Sequence, residues 1–235
     1  MVFFAVCAHT ASYLRPLLAL LLTLLLSGCM TLPSPRPLET GEHQVGLTLG
    51  GPAVQIGGTP IPLPMANLEG RSGLPRLLDR PLDVNYGLNT TALAFGIVQG
   101  HLGASYLLVQ EEGFRPALTL TNRLFLATNF PVASQRAPDS GGVWAADQIE
   151  LTASYLLGNH LLYAGLGQYF DFTSPRLLLT PSLGILLAPG QAQRWRFSAE
   201  ARYFAVNQIN AFDAVRWAPE ARGALGVGLG LSYTF

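Results

Sequence analysis

The sequence predicts an all-β fold: a transmembrane, antiparallel, up-and-down β-barrel of about ten strands, with eight or twelve as alternatives. Three observations predict it. First, the last eleven residues alternate, with Leu225, Val227, Leu229, Leu231, Tyr233 and Phe235 separated by Gly, Ser or Thr. A period of two makes a strand with one greasy face and one small, weakly polar face. It runs to the final carboxylate, as expected where a barrel's last strand closes on its first. Second, hydrophobic residues are 49% of the chain and charged residues 12%, about half the ~25% charged share of soluble proteins. A long unbroken apolar run occurs only near the N-terminus, so the surplus is spread through short segments. Third, period-2 segments recur from residue 44 to the end.

The N-terminal elements come first. Arg15 precedes the apolar run Pro16–Leu26, and Ser27, Gly28 and Cys29 follow. A positive charge, roughly ten apolar residues and small residues make a secretory signal, too short for the ~20 residues of a transmembrane helix. Leu26-Ser27-Gly28-Cys29 resembles the lipobox of bacterial lipoproteins. The resemblance implies cleavage before Cys29, a diacylglycerol thioether on it and an acylated amine. In that family an Asp after the cysteine holds the protein at the inner membrane. Met30 stands there, which implies export to the outer membrane. Residues 1–28 are thus read as a lipoprotein signal peptide. Residues 29–42, with Pro33, Pro35, Pro37 and Gly41, are read as a lipidated, extended tether. The barrel occupies 43–235. Cysteines stand only at 7 and 29, so processing leaves at most one and excludes an internal disulfide.

The strands follow in order. Val45, Leu47 and Leu49 alternate, and Val54 and Ile56 resume after Gly50-Gly51-Pro52, read as a bulge in one strand. Further strands are expected at about 66–74, 81–95, 100–110, 116–128 and 144–158. Gly158-Asn159 makes a tight turn into a strand at 160–172. The last three lie at 177–189, 195–207 and 221–235. Ten is even, as single-chain barrels of this kind require, and returns both termini to one side. If that side is the periplasm, the long connections around 129–143 and 208–220 face outside, where such barrels carry their longer loops. Aromatics near strand ends (Phe130, Trp144, Phe170, Phe172, Trp217, Trp195 and Phe235) suit interfacial girdles. The segment Thr59–Met65 alternates Pro with apolar residues and reads as a stiff hairpin connection rather than a partner-binding tip.

The faces opposite the large apolar residues carry Glu69, Arg71, Asp83, Asn85, His101, Thr119, Thr121, Arg123, Glu150, Thr152, Arg196, Glu200 and Arg202. Charges of both signs in one enclosed space should pair or meet water. The charged set Glu69, Arg71, Asp83, Arg123, Glu150, Arg196, Glu200 and Arg202 is therefore expected to form a polar network that fills a narrow lumen. A water-filled conduit is the second reading, and a catalytic use the third. Interior glycines such as Gly165, Gly184, Gly226 and Gly230 leave space or admit side chains from elsewhere. No nucleophilic motif, metal-ligand spacing or phosphate loop stands out, so no enzyme activity, cofactor or metal is expected. Net charge is zero without a basic patch, which argues against nucleic acid.

The alternating segments and the closing Leu231-Ser232-Tyr233-Thr234-Phe235 resemble bacterial outer-membrane β-barrel proteins over about residues 43–235. Such proteins often end in an aromatic preceded by apolar residues at every second position. The resemblance implies recognition by the barrel-assembly machinery through Leu231, Tyr233 and Phe235. The lipobox adds the lipoprotein-export machinery and outer-membrane lipids as partners. The function expected is a lipid-anchored outer-membrane barrel of a Gram-negative bacterium with structural, small-pore or surface-interaction work. One alternative is a membrane-embedded hydrolase or lipid-modifying enzyme using outer-end groups such as Asp147, Asp171 and Asp213. The other is a soluble barrel lipoprotein binding an apolar ligand, its greasy faces turned inward.

Overall fold

The structure is a computed structural model that describes residues 31–56, 59–129, 142–172, 176–189, 194–209, 218 and 222–235. Cys29, Asp213 and Trp217 lie outside the described residues. Eleven strands appear in chain order: β1 (His43–Ile56), β2 (Thr59–Pro62), β3 (Ala66–Leu77), β4 (Arg80–Asn89), β5 (Ile97–Val109), β6 (Ala117–Asn129), β7 (Val143–Leu157), β8 (His160–Asp171), β9 (Arg176–Leu187), β10 (Trp195–Phe204) and β11 (Ala224–Thr234). A one-turn helix, α1 (Thr90–Ala94), follows β4.

Ten of these strands form a closed antiparallel barrel. Each strand from β3 to β11 pairs with the next, β1 pairs with β3, and β11 returns to pair with β1. Closure runs from Gln44↔Thr234 to Pro52↔Gly226 and is pinned at the rim, where His43 N–H donates to the Phe235 carbonyl (3.0 Å) and Phe235 N–H to the His43 carbonyl (2.8 Å). Both described ends of the barrel domain thus lie at one rim, here the terminal end. The turns at 78–79 and 158–159 also lie there, while the longest connections, 130–142 and 205–223, join strands at the far end.

Two elements depart from the expected strands. The strand expected over 81–95 stops at Asn89, whose side-chain oxygen accepts the Ala92 N–H (2.9 Å) and caps α1. A capped turn takes over because Asn-Thr-Thr offers the backbone a local partner in place of the ladder. β1 remains one strand through Gly50-Gly51-Pro52, but beyond Pro52 it leaves the wall and pairs with β2, from Ala53↔Pro62 to Ile56↔Thr59. Gly50 has φ +151°, and a Cβ there would stand 2.2 Å from the Val227 carbonyl, so glycine permits the departure. The arm buries Val54, Leu63 and Met65 with Ala224 and Phe204 at the far end. A second apolar cluster, Ala92, Ile97 and Ala127 with Phe95 and Trp144, sits there beneath α1.

The wall has two unlike faces. Outward along β11 stand Leu225, Val227, Leu229 and Leu231, exposed by 46, 48, 64 and 40%. Leu47, Leu68, Leu102, Leu124, Leu151, Leu166 and Leu183 extend this exposed belt around other strands. Inward stand Gln44, Thr48, Glu69, Arg71, Asp83, Ser105, Thr119, Arg123, Glu150, Glu200 and Arg202, all buried. The soluble barrel with an inward apolar face is therefore ruled out, because strand parity turns most of the large apolar residues outward, with Phe125, Leu161, Tyr163 and Leu186 among the buried exceptions.

Candidate functional site: a filled lumen

The lumen is built from one face of each strand, so its chemistry is set by every second residue. Glu150 of β7 meets Arg123 of β6 (3.1 Å) and Arg202 of β10 (3.4 Å). Arg202 also pairs with its same-face neighbour Glu200, which accepts a hydrogen bond from the Tyr163 hydroxyl (2.9 Å). Arg71 of β3 pairs with Asp83 of β4. His101 Nε2 lies 3.8 Å from Glu69. Small residues make room for these large ones: a Cβ on Gly184 would stand 2.3 Å from the Tyr163 ring, and one on Gly87 2.5 Å from the His101 ring. Arg196 is placed differently from its expected role. It is half-buried, opposite Ser232 near the terminal rim, and joins none of these ion pairs among the described residues. It shares the parity of Glu200 and Arg202 but not their depth.

The segment expected as a tether enters this lumen. Gly41 N–H donates to the Gly73 carbonyl (3.2 Å) and the Thr40 hydroxyl to the Leu74 carbonyl (2.9 Å) at the terminal end of β3. From there the chain, followed backwards, climbs the inner wall. Leu38 N–H donates to Asp83 (2.9 Å), and Arg71 donates to the Arg36 carbonyl (2.8 Å). The hydroxyls of Thr119 (2.9 Å) and Ser154 (3.3 Å) both donate to the Pro35 carbonyl. Arg123 donates to Ser34 Oγ (3.3 Å) and the Leu32 carbonyl (3.4 Å), and Leu32 N–H donates to Glu69 (2.7 Å). Thr31, Leu32, Ser34, Pro35 and Leu38 are all buried. The tether is thus corrected to a lumen plug. Three prolines keep the chain extended in either place, but inside the barrel they also remove three N–H groups that would need partners.

The wall accommodates the plug sterically as well. A Cβ on Gly46 would stand 2.6 Å from Leu32 Cδ1, and one on Gly73 would stand 1.8 Å from the Glu39 carbonyl. Deep in the lumen, the gap between Thr31, Pro33, Thr48, Ser198 and Glu200 is about 10 Å³, about one water probe. At the terminal mouth a cavity of about 410 Å³ remains open, lined by charges of both signs including Arg36, Arg76, Glu39 and Glu111. Arg36 pairs with Glu111 there. Sequence reading missed the plug because a Pro-rich stretch signals extension without saying what lies beside it. The interior glycines of β1 and β11 were the available signal.

Of the outer-end carboxylates, Asp147 stands on β7 and Asp171 on β8, and Asp213 lies outside the described residues. Asp147 accepts from Asn122 (2.8 Å) on the outer surface of the wall. Among the described residues no three of His, Cys, Asp and Glu stand together as a metal site would require.

No protein-family model matches the chain, and no curated protein does. Among solved structures the chain is similar to the translocator domain of the autotransporter NalP from Neisseria meningitidis, at 12% identity and TM-score 0.43, covering 98% of each chain. It is also similar to the attachment invasion locus protein Ail of Yersinia pestis, at 15% identity and TM-score 0.28, covering 83% of this chain and 99% of that one. A third likeness is to CarO of Acinetobacter baumannii, at 11% identity and TM-score 0.23, covering 85% and 100%. The closure of the barrel rests on its own strand pairing.

Proposed function

We propose that the chain is an outer-membrane β-barrel with a structural or surface role, that residues 31–38 shut its lumen in the unlipidated chain, and that Cys29 upstream is lipidated. The observation that carries this reading is the division of the wall into an exposed apolar belt and a buried, ion-paired interior. Such a belt in water would be an aggregation hazard, whereas hydrocarbon solvates it. Its height is suitable: ten residues at ~3.3 Å each, tilted ~40°, span about 25 Å, the apolar band of such barrels. Trp195, Tyr233 and Phe235 at the terminal end, and Trp144, Phe170 and Phe172 at the far end, stand where interfacial aromatics belong. The terminal end then faces the periplasm, and Leu231, Tyr233 and Phe235 offer the assembly machinery its signal. We assign no catalytic step, since among the described residues nothing organises a nucleophile, base and binding pocket together.

The test uses chain refolded without lipid modification. In planar bilayers it is silent, and on gels in detergent the unheated protein migrates differently from the boiled one. Steady conductance would overturn the shut lumen, and unchanged mobility would count against a stable membrane barrel. In cells, palmitate labelling is lost in Cys29→Ala, and labelling that persists there would remove the lipid anchor from the reading.

A further inference from the structure

The contacts between wall and plug are mostly contacts to main chain. Of the plug's groups, the Leu32 and Leu38 N–H bind carboxylates, and the carbonyls of Leu32, Pro35 and Arg36 accept from Arg123, Thr119, Ser154 and Arg71. The wall groups belong to β3, β4, β6 and β7, within the arc of the barrel from β3 to β7, and Glu69, Arg71, Asp83, Thr119, Arg123 and Ser154 are each buried. A wall so supplied with donors suits a chain rich in carbonyls and poor in N–H, which describes a polypeptide with proline at every second position. Proline also holds that chain extended before it binds, so little ordering entropy is lost on entry. Side-chain contacts include the niche left by Gly46 and Gly230 for Leu32, the Ser34 hydroxyl, and the polar contacts of Arg36 with Ser154 and Glu111, and the Leu38 side chain is fully buried.

We propose that the lumen is a binding site for an extended, proline-rich polypeptide, of which residues 31–38 are the resident occupant, and that it takes such a peptide supplied as a separate molecule. The proposal concerns the inner wall and holds whatever phase surrounds the belt.

The test keeps the full chain through folding. A protease recognition sequence is inserted between Thr40 and Gly41, at the exposed mouth where nothing lies within 4 Å of a Cβ on Gly41. After folding and cleavage, the N-terminal fragment co-elutes with the barrel in detergent. A fluorescent peptide of the sequence of residues 31–40 then displaces it saturably. The same peptide with Pro33, Pro35 and Pro37 replaced by Ala binds about tenfold weaker or worse, because the N–H groups it adds at the buried positions 33 and 35 then need acceptors. A fragment lost at once on cleavage, with no saturable uptake of added peptide, would overturn the proposal, as would equal binding of the Ala peptide. Hydrogen exchange on the uninserted chain keeps the test alive if the insertion hinders folding. The Leu32 and Leu38 amides are strongly protected, and the protection falls at Leu32 in Glu69→Gln and at Leu38 in Asp83→Asn. Fast exchange of both amides in the unaltered chain would refute the site.

Discussion

Glu150 stands between two guanidiniums, those of Arg123 and Arg202, and none of the three side chains has an appreciable share of solvent. Removing the carboxylate leaves two buried cations facing each other with less to balance them. Glu150→Ala is therefore expected to destabilise the barrel by about 3–5 kcal/mol, the usual cost of breaking a buried pair from one side. The Glu112–Arg115 pair at the β5–β6 turn has the same chemistry at 2.9 Å but is exposed on both sides. Arg115→Ala is expected to cost at most about 1 kcal/mol. Urea unfolding of both variants in bilayers checks the contrast, and equal losses would mean that burial does not govern these pairs. Parity along each strand sufficed to put Glu150, Arg123 and Arg202 on the inner face. It did not pair them: Arg123 and Glu150 meet through the register of β6 with β7, and Arg202 of β10 reaches Glu150 only across the interior that the rolled sheet encloses. Depth was equally hidden: parity puts Arg196 with Glu200 and Arg202, but it lies half-buried near the terminal rim.

The terminal strand β11 shows what an element does here: it closes the barrel on β1 and presents its alternate residues to the outside. Leu229 is at mid-strand and 64% exposed, while Leu225 lies at the far end of the same face. If that face meets hydrocarbon, cost depends on depth. Leu229→Arg should lower folding stability in bilayers by about 2–4 kcal/mol and Leu225→Arg by about 0–1. Equal, small effects at both positions would refute a buried lipid-facing belt. The barrel strands were legible because outward-facing and lumen-facing residues must alternate along a barrel wall. What escaped were elements that do not alternate. α1 depends on a single cap at Asn89, β2 on a proline arm that pairs outside the wall, and the plug on shape complementarity with Gly46 and Gly73.

For the molecule as a whole, the plug and the proposed lipid anchor make competing demands on one short stretch of chain. Thr31 is buried within the lumen, beside Thr48 of β1 and Gly228 of β11 near the middle of the wall. Cys29 precedes it by two residues, a reach of about 7 Å at full extension. In the proposed setting the bilayer lies on the other side of a closed, hydrogen-bonded wall. Acyl chains favour hydrocarbon by about 0.8 kcal/mol per methylene, and summed over their full length this exceeds what a handful of lumen hydrogen bonds at about 1 kcal/mol each can hold. Lipidation should therefore draw residues 31–38 out toward the periplasmic mouth, whereas the unlipidated chain keeps them seated. A chain carrying Ser34→Cys checks this, because that position lies against Arg123 in the plugged state. A membrane-impermeant thiol reagent should label it in lipidated protein extracted from membranes, and should fail to label it when Cys29→Ala is added. The lipidated protein should also conduct where the refolded, unlipidated chain is silent. Equal protection of position 34 in both forms would show that anchor and plug coexist, and that the chain upstream of Thr31 finds another way to the lipid.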